Sequence, residues 1–154
     1  MTTINTIKSK DNNATEKKSN QTHFDSVISD LLRTLNKFSI CLNSRTIENI
    51  SYYNLNKVCF ILINTYENKN QDLGIGPLND GIHIALYYRR LKYRVFYLYN
   101  PKSEQFTDYL EYFLQNTTKD LTVFFSGHDS VNTSTHEIEF PNGQLSSNII
   151  KKSI

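Results

Sequence analysis

The run KVCFILIN (57–64) decides how this chain folds. It is short, rich in β-branched and aromatic side chains, and apolar at consecutive rather than alternate positions. A strand with one wet face alternates apolar and polar residues. A strand covered on both faces reads as a continuous apolar run. The stretch therefore predicts a doubly buried strand. Two similar runs follow, YRVFYLY (93–99) and the start of LTVFFSGHDS (121–130). Helical patterns lie between them. The first runs from Asn79-Asp80, which can cap, to about Leu91. The second is capped by Ser103 and places Phe106, Tyr109, Leu110, Phe113 and Leu114 on one face. Asn100-Pro101 ends the second strand, and Asn116-Thr-Thr ends the second helix. Strands alternating with helices through short loops predict an α/β fold, a mostly parallel sheet flanked by helices. Residues 136–140 with the turn Pro141-Asn-Gly143 predict a hairpin, and residues 145–154 the start of another helix.

Upstream, residues 1–21 are polar and offer almost nothing to bury, so a disordered tail is expected there. Thr22 to Asp25 has the spacing of a capping box. Phe24, Val27, Ile28, Leu31, Leu32, Leu35 and Phe38 then fall on one helical face. Such a helix either packs on the main domain or recruits a partner. Residues 43–56 suggest no firm element. The expected organisation is a tail (1–21), an amphipathic helix with a linker (22–56) and an α/β domain (57–154).

The 154 residues carry 17 Lys+Arg against 15 Asp+Glu, a net charge of +2, too small a surplus for a dedicated nucleic-acid binder. The stretch YYRRLKYR (87–94) mixes cations with aromatics, but cations also suit a helix C-terminus and the rings suit a core. The longest apolar run, 58–63, cannot span a bilayer, and the N-terminus lacks a secretory apolar segment. A cytoplasmic protein without membrane contact is expected. Two cysteines, Cys41 and Cys59, make no disulfide framework and no zinc spacing. Neither a metal nor a cofactor is expected.

Ligands of an open parallel sheet sit beyond the carboxyl ends of its strands. Here the loops 65–78, 100–103 and 126–135 meet. Gly74, Gly76 and Gly81 have the wrong spacing for a dinucleotide site, Asn100 stands where a ribose-binding acid would, and no Walker lysine follows a glycine loop. A nucleotide-binding doubly wound domain is a minor alternative. His128 is the candidate for chemistry, because imidazole exchanges protons near neutral pH and Gly127 before it lets the backbone turn. Its plain reading is a histidine in a surface loop. His136 and Asp129 add no convincing metal set. His23 and His83 fall on helices.

Taken in order, these segments resemble the caspase and metacaspase family of cysteine peptidases. KVCFILIN is similar to the family's opening strand. PLNDGIHIALYYRRLKY (77–93) is similar to its first helix, and YRVFYLYNPKSEQFTDYLEYFL (93–114) to its second strand and helix. FFSGHDS (124–130) resembles the strand ending in Ser-Gly-His-Gly, and EIEFPNGQLSSNIIKK (137–152) the hairpin and helix that follow. The resemblance covers about the first half of the family's domain, implying a three-layer fold of which three strands and a hairpin are present. It implies that His128 is the histidine of a Cys/His dyad, assisting a thiolate in attacking a peptide carbonyl. It places Asp80 at an acidic position lining the substrate pocket, suited to Lys or Arg. A helix N-terminal carboxylate explains Asp80 equally well. Asp129 stands where the family has a glycine whose N–H helps form the oxyanion hole, and its charge is unfavourable there. No cysteine follows His128. The expectation is a peptidase-like domain acting on peptide or protein substrates by lineage but inactive as this chain alone. The alternative is a non-catalytic relative that pairs with itself or an intact homologue through an open edge at 121–125.

Overall fold

The computed structural model describes residues 2–8, 21–65, 75–127, 129–132, 135–140 and 143–146. In chain order they form β1 (Thr2–Lys8), α1 (Gln21–Asn36), β2 (Ile40–Cys41), α2 (Ile47–Ile50), β3 (Lys57–Ile63), α3 (Gly76–Arg90), β4 (Arg94–Tyr99), α4 (Ser103–Asn116), β5 (Asp120–Gly127), β6 (Asp129–Asn132), β7 (Thr135–Phe140) and β8 (Gly143–Ser146). The first five strands make an all-parallel sheet in the order β1-β5-β3-β4-β2, and the last three an antiparallel sheet in the order β6-β7-β8. The protein is a three-layer α/β fold, as the strand–helix alternation predicts.

The central strand β3 shows why its sequence is apolar throughout. Side chains alternate across a strand. Val58, Phe60 and Leu62 enter one core, with Phe96 and Leu98 of β4, Leu121, Val123 and Phe125 of β5, and Phe106, Leu110 and Phe113 of α4. Cys59, Ile61 and Ile63 enter the other, with Ile28 and Leu35 of α1 and Leu78, Ile82 and Ala85 of α3. Phe60 packs between two rings of α4, with centroids 5.5 Å from Phe106 and 5.0 Å from Phe113. At Gly81 the helix α3 approaches β3 so closely that an added Cβ would lie 2.6 Å from Ile63 Cδ1. That glycine serves helix–strand packing, not a phosphate-binding loop.

Several expectations change. Residues 2–8, read as part of a disordered tail, form β1 instead, pairing in parallel with β5 from Thr2↔Leu121 to Lys8↔Gly127. The stretch TTINTIK has only two apolar residues, Ile4 and Ile7, three positions apart, and Ile4 packs on the α4-side core. That sparse pattern suits a thin edge strand, which composition alone obscures. The edge expected to lie open at 121–125 is therefore covered, since β5 pairs with β3 on one side and β1 on the other. The amphipathic helix packs on the main domain: Ile28 and Leu35 are buried against the sheet, with Phe24, Leu31 and Leu32 packed beside them. Thr22 already lies inside α1, so it is not the cap. Similarly, α3 begins at Gly76 with Pro77 in its first turn, before the expected Asn79-Asp80 start, because proline's fixed φ suits that position. Cys41 sits in the short strand β2. The expected hairpin is β7–β8, joined by an unforeseen β6. Residues 145–146 of the expected last helix are strand instead, the end of β8, and 147–154 lie outside the described residues.

Candidate functional site

The carboxyl ends of β3, β4 and β5 are tied together by a compact polar network. Tyr99 ends β4, and Asn100 follows in the left-handed region at φ 47°. Asparagine tolerates that backbone better than most residues. This turns its main chain back, so that Asn100 N–H donates to Ile63 O at 2.8 Å. Its side chain then clamps the buried Thr65: Oδ1 accepts from Thr65 N–H at 2.8 Å, and Nδ2 donates to Thr65 Oγ1 at 2.8 Å. On the other flank Asn64 N–H donates to Ser126 O at 2.9 Å. The buried Ser126 hydroxyl donates to Pro77 O at 2.8 Å, fastening the end of β5 to the first turn of α3. The buried Thr65 and Ser126 are satisfied in this way, and such bonds favour one geometry.

The network positions the residues expected to matter. Gly127 is buried as the last residue of β5, with φ 156°, a backbone angle that favours glycine. Asp80 lies in α3 one turn beyond Pro77, half-buried. The Ser126–Pro77 bond thus draws Gly127 and the start of α3 to one end of the sheet. Asp129 opens β6, paired with Ile138. His128 lies outside the described residues, between the described Gly127 and Asp129. Thr65 and Ser126 were not singled out from sequence, and Asn100 was read only as a strand end lacking the acid of a ribose site. An Asn-Pro pair ending a strand marks a turn, but nothing local says that its amide holds a neighbouring strand.

The two thiols are poorly placed for a dyad at this end. Cys59 is opposite Thr122, five residues before Gly127 along β5. At about 3.3 Å per residue that is a separation of about 16 Å along the sheet. Burial also pushes its thiol strongly up, the reverse of what a nucleophile needs. Cys41 lies opposite Tyr97 on β2. β2 stands three strands from β5, about 14 Å at the usual interstrand spacing. Its Sγ is 3.5 Å from Asn43 Oδ1, to which it donates. Among the described residues no group of three or more His, Cys, Asp or Glu could hold a metal ion, and no helix is long and apolar enough to cross a membrane.

Comparison with family models, with curated proteins and with solved structures found no match to this chain.

Proposed function

We propose that this chain is a caspase/metacaspase-like domain that carries the histidine side of a Cys/His dyad, by lineage a cysteine-type endopeptidase, and is catalytically silent as it stands. The observation that carries this reading is the end of β5. A parallel strand in the middle of an α/β sheet runs through Ser126-Gly127 directly beside the first turn of α3, and an antiparallel β6-β7-β8 unit follows. The resemblance rests on such a strand followed by a hairpin, here β7–β8. His128 would then act as the base and Asp80 would favour a basic substrate side chain. Gly127 would supply the sharp backbone turn, while Asp129 would oppose a developing oxyanion. Silence follows from the thiols, one buried about 16 Å along the sheet and the other three strands away. Pairing with an intact relative is a weaker reading, because β1 occupies the edge it would use.

The test is labelling with a thiol-reactive peptidyl probe. No capture that depends on His128 is expected. Covalent capture at Cys41 or Cys59 that disappears in His128→Ala would overturn the silent reading.

A further inference from the structure

At the opposite end of the sheet, the amino ends of the strands border a cleft of about 470 Å³ lined by Asn54, Asn56, Lys57, Arg89, Lys92, Tyr93, Arg94 and Lys119. Five of these eight residues are cationic and none is acidic, in a chain whose whole net charge is +2. Charge is therefore gathered here from three strand starts and the end of α3. Cations at a helix C-terminus answer the dipole, and part of this cluster does so: Lys57 Nζ donates to Leu91 O at 2.8 Å. That role does not account for the rest. Lys92 and Lys119 reach the cleft from separate turns, and among the described residues Lys57, Arg89, Lys92 and Arg94 form no ion pair with a carboxylate.

Several of the groups are held in place. Arg94 Nε donates to Asn54 O at 3.3 Å while its guanidinium lies 5.0 Å from the Tyr53 ring centroid. Arg89 donates to Lys37 O at 2.5 Å and lies over Phe38. Lys57 lies over Tyr93 at 4.9 Å. The two asparagines are oriented as well. Asn54 Oδ1 accepts from Asn56 N–H at 3.0 Å, and Asn56 Oδ1 accepts from Thr118 Oγ1 at 2.7 Å. Both carboxamide oxygens are thereby committed, leaving the amino groups as donors. Fixed guanidinium forks, lysines and amide donors without a lining acid are suited to phosphate oxygens.

We propose that this cleft binds a compact oligophosphate, an anion bearing two or three linked phosphates. The cluster exceeds what a single carboxylate would need. The volume suits a short phosphate chain. The ring faces of Tyr93 and Tyr53 are already covered by Lys57 and Arg94, whereas a single-stranded nucleic-acid site would offer open rings for bases to stack on. The site is independent of the His128 end of the sheet, so it can fail without affecting that reading.

Titration calorimetry of the full chain with inorganic tripolyphosphate at low ionic strength tests it. Saturable one-site binding that weakens with salt is expected. Lys92→Glu should lower affinity by about tenfold or more, whereas Lys102→Glu, with the same change in net charge but at the other end of the sheet, should change it less than about threefold. Lys92 is exposed and makes no side-chain bond, so its replacement leaves the fold intact, which circular dichroism verifies. Absence of saturable binding, equal effects of the two variants, or tighter Lys92-dependent binding of a single-stranded oligothymidylate than of tripolyphosphate would each overturn the proposal.

Discussion

Replacing Asn100 tests the network that shapes the carboxyl end of the sheet. In Asn100→Ala two bonds of 2.8 Å to Thr65 vanish, and Thr65 is fully buried. Its N–H then has no partner, which costs about 1–3 kcal/mol. Alanine at φ 47° adds about 1 kcal/mol of backbone strain. The sum, about 2–4 kcal/mol, corresponds to a fall in Tm of about 4–15 °C for a domain of this size. Asn100→Gly removes the bonds but relieves the strain, so its loss should be about 1 kcal/mol smaller than alanine's. Asn100→Asp keeps an oxygen facing Thr65 N–H, and the Thr65 hydroxyl can turn to donate, so it should lie within about 1 kcal/mol of the parent. Urea unfolding of the four proteins, compared by midpoint and slope, measures this. An alanine variant within about 0.5 kcal/mol of the parent, or a glycine variant no better than alanine, would contradict the clamp and its strained backbone.

Two further outcomes follow from the fold. Deleting residues 1–8 removes β1 and leaves the strand of Leu121, Val123 and Phe125 with an unpaired edge, so the shortened chain should self-associate with rising concentration in light scattering; an unchanged monomer of unchanged Tm would contradict the pairing. Tyr93 donates its hydroxyl to the Asp120 carboxylate, which together with burial pushes its pKa up to about 12. The folded state thus keeps a proton that the unfolded chain loses near pH 10, so the bond's contribution is fully present below pH 10 and is lost as pH rises toward 12. Tyr93→Phe should show a shallower decline in stability over that window, and an identical decline would remove Tyr93 as its source.

Much of the fold was legible in the sequence because the central strands are covered on both faces. KVCFILIN is short and rich in β-branched and aromatic residues, which favours a doubly buried strand over a buried helix, and the period of Phe106, Tyr109, Leu110 and Phe113 fixes α4. The edges were not legible. TTINTIK buries little, so its composition resembles that of a tail; what makes it a strand is the ladder that β5 offers, a partner more than a hundred residues away in sequence. The two-residue β2 likewise exists through its pairing with Phe96 and Tyr97. At the site, strand order alone placed Gly127 at the carboxyl end of the sheet, whereas Asp80 came only from the resemblance. The Asn100–Thr65 clamp was not legible, since it joins positions 35 residues apart through one amide.

The proposed peptidase-type histidine end is expected to lack a usable thiol. The direct measurement is hydrolysis of fluorogenic peptides with Lys or Arg at the cleaved bond, using the chain and its Cys41→Ser, Cys59→Ser and His128→Ala variants. No turnover above the blank is expected in any of the four. Turnover by the parent that is abolished both by His128→Ala and by one of the cysteine substitutions would contradict that expectation.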